Sequence, residues 1–207
     1  MSNGTKKEDF SLEALRAGDR TEFARLVEAY SGVIYRLAIR MLANPQDAED
    51  VLQETFIKAY HHLPKFDGRS SVSTWLYRIA TNEALMMLRR RKHVFISIDD
   101  PLDQAGEDQE PLQIVDWCCL PEDELMSAEA RAYMDKAVEA LPDSLRVVFL
   151  LRDIEGLSTR ETGEVLDLSE TAVKTRLSRA RLRLREMLTE YHGDRMLKRS
   201  SAQREGA

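Results

Sequence analysis

Cysteine is nearly missing from this sequence: there are two in 207 residues, the neighbours Cys118 and Cys119. Adjacent cysteines rarely pair with each other, which excludes a disulfide framework and the small stapled scaffolds that depend on one. Long apolar runs are missing too. No stretch approaches the roughly eighteen residues of a membrane span, and the opening MSNGTKKEDF lacks the apolar segment of a secretory leader. A cytoplasmic protein without direct membrane insertion is expected. The four histidines, His61, His62, His93 and His192, have no metal or triad spacing with suitable partners. No glycine-rich loop is present to cradle a phosphate. No catalytic residue, metal or cofactor is therefore expected, and no enzymatic chemistry. A strand pattern is absent throughout, so the 43% hydrophobic content has to be buried by helices.

Positive charge is also in short supply, with 30 Lys and Arg against 36 Asp and Glu and a net charge of −6. The deficit is local. Between Ser97 and Ala130 stand eleven acids and no Lys or Arg, so the rest of the chain sums to about +5 (−6 plus 11). This reads as two neutral-to-basic parts on either side of an acidic connector.

What the chain does have is concentrated in Ser158–Arg185, STRETGEVLDLSETAVKTRLSRARLRLR. Ser158 and Glu161 match a capping box that starts one helix. Asp167 falls where the chain must turn, a conformation Asp tolerates. Ser169 caps a second helix whose buried stripe is Val173, Leu177, Ala180 and Leu184. Off that stripe stand Lys174, Arg176, Arg179, Arg181, Arg183 and Arg185, opposed only by Glu170. An apolar stripe with cations elsewhere, after a tight turn, is what a helix-turn-helix presents to duplex DNA. A solvated bundle helix or a basic membrane-surface helix would explain the charges but not the turn and caps in register with them.

The first part reads as all helix. Asp19 with Glu22 starts a helix carrying Phe23, Leu26, Val27 and Tyr30, continued by Val33, Ile34, Leu37, Ala38, Met41 and Leu42. Asn44 and Pro45 restart the chain, and Ala48, Val51, Leu52, Phe56, Ala59 and Leu63 form the next stripe up to Pro64. A loop over residues 65–73 leads into a helix with Trp75, Ile79, Leu85 and Leu88 that runs out through Arg89, Arg90, Arg91 and Lys92. After the connector, Glu129–Ala140 forms one helix. Pro142 and Asp143 open another, which buries Val147, Val148, Leu150, Leu151 and Ile154 and stops at Gly156. The tail after Gly193 is polar and expected to fray.

Two further clusters carry chemistry. Asp47, Glu49, Asp50, Gln53, Glu54 and Lys58 form a mostly acidic face, either plainly solvated or a dock for a basic partner. Phe66, Arg69, Ser70, Ser71, Ser73, Thr74, Trp75, Tyr77, Arg78 and Asn82 mix planar groups, hydroxyls and cations as single-strand binders do, although Trp75 with Ile79 one turn on also suits a core.

The blocks DAEDVLQETFIKAYHHLPKFDG, STWLYRIATNEALMMLRR, ALPDSLRVVFLLRDIEGLS and LSETAVKTRLSRARLRLRE, in this order and spacing, resemble a bacterial RNA polymerase sigma factor of the extracytoplasmic-function (ECF) type. The resemblance implies an all-α chain of two small helical domains, sigma-2-like over residues 10–93 and sigma-4-like over 121–191, joined by a flexible acidic linker over 94–120 and followed by a polar tail over 192–207. It implies binding to core polymerase through the β′ clamp helices and the β flap, with Asp47, Asp50, Gln53 and Glu54 on the docking face. Lys65, Phe66, Arg69, Ser70, Ser71, Ser73, Arg78 and Asn82 would take a flipped base of the −10 strand, and Arg89, Arg90 and Arg91 its phosphates. Thr171, Lys174, Thr175, Arg176, Ser178 and Arg179 would face the −35 duplex. Control by an anti-sigma factor is implied as well. The alternative is an autonomous regulator that uses the helix-turn-helix without polymerase. Two residues depart from the family pattern. Asp167 stands where many relatives have Gly, and Gly163 where they have Ala, which on helix propensity should weaken that helix by about 0.5–1 kcal/mol.

Overall fold

The structure, a computed structural model, describes residues 10–95 and 128–205, all of it helix, turn or loop. Eight α-helices are placed: α1 Leu12–Arg16, α2 Arg20–Leu42, α3 Pro45–His62, α4 Val72–Phe95, α5 Ala128–Glu139, α6 Asp143–Phe149, α7 Thr159–Leu166 and α8 Glu170–Glu205. The acidic connector expected over 94–120, with both cysteines, falls outside the described residues apart from the end of α4.

The starts and stops follow local chemistry. Asp19 accepts from the Thr21 and Glu22 amides to begin α2. Glu22 does not close a capping box there; its carboxylate accepts the Ser11 amide at 2.8 Å and tethers α1. Asn44 caps α3 by accepting from the Asp47 amide, with Pro45 in the first turn. A short 3₁₀ turn, Leu63–Lys65, holds Pro64 and ends α3. At the far end, α8 continues as helix through Gly193 to Glu205, where the sequence reading ended at Tyr191 with a frayed tail. The residues after Gly193 include no proline, and a single glycine costs a helix only about 1 kcal/mol.

Leu26, Ile34, Leu37, Met41, Val51, Leu63 and Leu76 are buried between α2, α3 and α4; Leu141, Val148, Leu150, Leu151, Val173 and Ala180 are buried among α5–α8. Most of these match stripes read from sequence, with two corrections. The buried face of α4 is Leu76, Tyr77, Ala80 and Ala84, with Trp75, Ile79, Leu85 and Leu88 only half-buried. Ile154, expected in the core, is 44% exposed because the π turn rotates it outward. The two sets merge into one hydrophobic cluster, because α4 packs on α7 and α2 on α5 and α6. Between α6 and α7 the chain makes one π turn, Leu150–Ile154, before Gly156 at φ 75° redirects it. The wider π turn turns successive acids in different directions: Asp153 to α8, and Glu155 just after it to α2 and α4.

Candidate nucleic-acid interface

The helix-turn-helix is assembled by its own sequence. The Ser158 hydroxyl accepts the Glu161 amide at 3.1 Å, and the Glu161 carboxylate accepts the Ser158 amide at 2.8 Å, closing the capping box. Asp167 takes the left-handed conformation at φ 57°, ψ 45°. Ser169 accepts the Ala172 amide at 3.1 Å and starts α8. Val173, Leu177, Ala180 and Leu184 are buried, each less than 9% exposed. The expectation about Gly163 has to be corrected. A Cβ at this position would lie 2.7 Å from the Leu168 carbonyl oxygen, so glycine is what the turn accommodates. Helix propensity alone missed this because the clash comes from beyond the helix.

Hydrogen bonding of the Glu161 carboxyl to the Ser158 hydroxyl, and then to the Ser158 backbone amide, holds it below its ordinary range. A lowered value means stability that is present above the unfolded-state value, about 4.3, and lost as pH falls below it. Wild type is therefore expected to melt above Glu161→Gln at neutral pH, with the gap closing as the pH is taken from 5 toward 3. A gap independent of pH in thermal melts would rule out this role for the carboxylate.

Along α8, Thr171, Lys174 and Arg185 are exposed, while Thr175, Arg176, Ser178 and Arg179 are half-buried. The Thr175 hydroxyl donates to the Thr171 carbonyl at 3.0 Å. Arg181 is committed elsewhere, in a two-pronged pair with Asp153 at 2.9 and 2.7 Å that fastens α8 to the π turn.

On the other half, Lys65, Phe66, Arg69, Ser70, Trp75 and Arg78 line one cleft of about 730 Å³ together with His62, Asp67 and Thr74. Phe66 is its buried floor, its ring 4.9 Å from that of Trp75. Trp75 packs against the core and lines the cleft at once. Arg69, with an 89% exposed side chain, is paired with Asp67 at 2.6 Å. Ser71 is engaged in starting α4: its hydroxyl accepts the Thr74 amide at 3.1 Å and meets the hydroxyls of Ser73 and Thr74 at 2.8 Å. Asn82 stands one turn beyond Arg78, also exposed. Sequence reading missed His62, whose only signal was its place just before the loop.

The Arg run divides. Arg89 and Arg90 are exposed, whereas Arg91 pairs with Asp47 and donates to the Leu42 carbonyl at 3.1 Å. One expected phosphate ligand and one expected docking acid thus hold each other and tie α4 to the α2–α3 corner. Asp50, Gln53 and Glu54 line a groove with Lys58, Glu83, Met86, Met87 and Arg90. Ile57, 50% exposed, and Tyr60 lie further along the same helix.

Comparison with known proteins places these surfaces. Models of "Sigma-70 region 2" and "Sigma-70, region 4" match residues 26–94 and 131–184. The ECF RNA polymerase sigma factor SigW of Bacillus subtilis is 39% identical over 183 residues, 86% of this chain and 95% of the relative. This chain belongs to the sigma-70 family, as an ECF sigma factor. Other ECF and related sigma factors align over similar lengths. RNA polymerase sigma-H factor of Pseudomonas aeruginosa is 35% identical, covering 86% of this chain and 92% of the relative. The ECF RNA polymerase sigma-E factor of Escherichia coli is 34% identical, covering 82% and 88%. Two solved structures share the fold of this ECF sigma factor. CnrH in complex with the cytosolic domain of CnrY has a TM-score of 0.63 at 24% identity, over 86% of this chain and 95% of that one. RpoE in complex with the anti-sigma factor NepR from Bartonella quintana has a TM-score of 0.60 at 24% identity, over 82% and 98%. The α3 groove and the cleft wall formed by Lys65, Phe66, Arg69, Trp75 and Arg78 fall inside the region 2 match; the helix-turn-helix, whose Arg160, Glu164 and Asp167 form the cleft's other wall, falls inside the region 4 match.

Proposed function

We propose that this sigma factor binds core RNA polymerase and directs initiation at promoters it reads at two points, without catalysing a reaction itself. The observation that carries the reading is the division of labour. An aromatic and cationic cleft and an acidic groove lie on the region 2 half, and a helix-turn-helix lies on the region 4 half. The α3 groove docks on the β′ clamp helices through Asp50, Gln53 and Glu54, with Asp47 holding the corner, and region 4 engages the β flap. Lys174, Thr175, Ser178 and Arg179 face the −35 duplex, with Thr171 and Arg176 toward its phosphates. Lys65, Phe66, Arg69, Ser70, Ser71, Ser73, Arg78 and Asn82 form the −10 single-strand site, and Arg89 and Arg90 hold its backbone. Opening DNA costs about 1.4 kcal/mol per step, so captured bases and phosphate contacts must act together.

No helix among the described residues is long and apolar enough to cross a membrane, and the protein acts in the cytoplasm with the polymerase. CnrH and the Bartonella RpoE are each seen held by a partner, in the second case one named as an anti-sigma factor. The same class of inhibitor controls this chain.

Run-off transcription with core polymerase, with and without the chain, tests the proposal. Specific transcripts should require the chain, and Lys174→Ala should lower their yield about three- to tenfold. Tight sequence-specific binding of duplex by the chain alone, with no effect on polymerase, would instead establish an autonomous regulator.

A further inference from the structure

Helix α1, Leu12–Arg16, lies outside the region 2 match, which begins at residue 26. Five residues do not hold a helix on propensity, since isolated helices shorter than about 12–15 residues are marginal in water. Tertiary contacts hold this one. Leu15 is buried. The Ser11 amide donates to one oxygen of the Glu22 carboxylate at 2.8 Å, and Arg25 donates to the other at 2.7 Å. The Arg25 guanidinium stands 5.8 Å from the centre of the Phe10 ring, which lies 6.0 Å from the ring of Tyr30.

From this anchor α1 reaches the loop of the single-strand site. It packs on the Leu63–Lys65 turn. A Cβ on Gly68 would lie 3.6 Å from Nη2 of Arg16 and 3.9 Å from Cδ1 of Leu12. Gly68 takes φ 78° between Asp67 and Arg69, both of which line the cleft. With no side chain at this position, the Arg16 guanidinium is open to a backbone passing over the loop.

The charge balance favours an anion there. Asp67 is the only acid in residues 65–73. It is already committed to Arg69, accepting from its amide at 3.2 Å and from its guanidinium at 2.6 Å. Arg16 is exposed, and no carboxylate among the described residues pairs with it. The macrodipole, the ordinary reason for a cation in a last helical turn, is small in a helix of five residues.

We propose that Arg16 is a further phosphate ligand of the single-strand site, holding the backbone of the −10 strand where it crosses Gly68. The inference rests on the promoter-reading function proposed above. Each phosphate neutralised on a single strand releases counterions, so every such contact steepens the fall of log affinity with log salt by about 0.7. Losing a hydrogen bond to a charged group should also weaken binding about tenfold. Sequence reading missed Arg16 because nothing in periodicity ties it to a loop beyond α2 and α3.

The test uses holoenzyme, the full chain on core polymerase, with forked DNA from a promoter that the wild type transcribes, its −10 strand left single. Fluorescence anisotropy over a range of sodium chloride gives affinity and salt slope, and thermal melts of the chain report folding. Arg16→Gln should bind the fork about tenfold more weakly, with a slope shallower by about 0.7 and an unchanged melting temperature. Its affinity for a duplex carrying the −35 element alone should match wild type. Arg16→Lys, which keeps the charge, should recover most of the affinity and all of the slope. Unchanged fork binding by Arg16→Gln, weaker binding with an unchanged slope, or an equal loss on the −35 duplex would overturn the contact while leaving the sigma function standing. Absence of wild-type run-off would overturn the sigma function and the contact with it, so the two failures are distinct.

Discussion

Asp50→Lys combined with Glu54→Lys is expected to weaken binding of core polymerase about a hundredfold or more while barely moving the melting temperature. Both carboxylates are exposed on α3 and line the groove with Gln53, Met86 and Met87. Neither belongs to the buried core, so their replacement should alter folding stability by no more than about 0.5 kcal/mol. At an interface the arithmetic differs. Removing one member of a charge pair that becomes desolvated on docking costs about 2–5 kcal/mol, and reversal adds repulsion, so a loss of 2.7 kcal/mol or a hundredfold is a modest expectation. Glu49 supplies the control, being an exposed acid on the same helix that does not line the groove. Titration of labelled chain against core polymerase should show Glu49→Lys within about threefold of wild type. Equal losses for Glu49→Lys and the groove pair would show that only net charge matters, contradicting a defined dock. Asp47→Ala should behave differently from both. Its carboxylate secures Arg91 and the end of α4, so its effect should appear largely in stability.

Gly163→Ala should destabilise the protein, although every helix-propensity scale ranks Ala above Gly. Propensity offers about 0.5–1 kcal/mol in favour of Ala. Against it stands a Cβ placed 2.7 Å from the Leu168 oxygen. That carbonyl has little room to retreat, because the Leu168 amide is bonded to the Gly163 carbonyl at 3.0 Å across a turn already in the left-handed region. Overpacking of this kind costs about 1–3 kcal/mol, so a net loss of about 1–2 kcal/mol is expected in denaturant titrations. Asp167→Gly should act in the opposite direction, gaining about 0.5–1 kcal/mol by relieving an L-residue at φ 57°. The two sites share one turn, so the double variant should lose less than the sum of the singles. A Gly163→Ala protein more stable than wild type would show that the turn yields freely and that the close approach carries no cost.

Sequence revealed what was local. The capping box at Ser158, the cap at Asn44, the turn at Asp167 and the stripe Val173–Leu184 each depend on residues a few positions apart, and each is present as read. The sequence was silent where partners are distant. Tyr77 meets Glu155 across 78 positions and Arg146 meets the Met41 carbonyl across 105, and periodicity carries no trace of such pairs. Arg91 looked like one more cation in a run because its acid lies on a different helix. Gly163 was visible as a departure, but its meaning was inverted until the Leu168 carbonyl was in place. Among the candidate site residues, exposure and clustering had no sequence signal beyond residue type. That is why Ser71, Ser73 and Thr175, plausible as contacts, are found with hydroxyls already engaged in their own helices.

The length of α8 has a mechanical consequence. The helix that carries the proposed −35 contacts does not end with them; Glu170–Glu205 is a single helix of 36 residues, about 54 Å long at 1.5 Å per residue. The end proposed to read DNA and the C-terminal end of the described chain are then one lever. A tilt of about ten degrees at the reading end sweeps the far end through roughly 9 Å for a rod of that length. Whatever grips that distal arm would also aim the reading head.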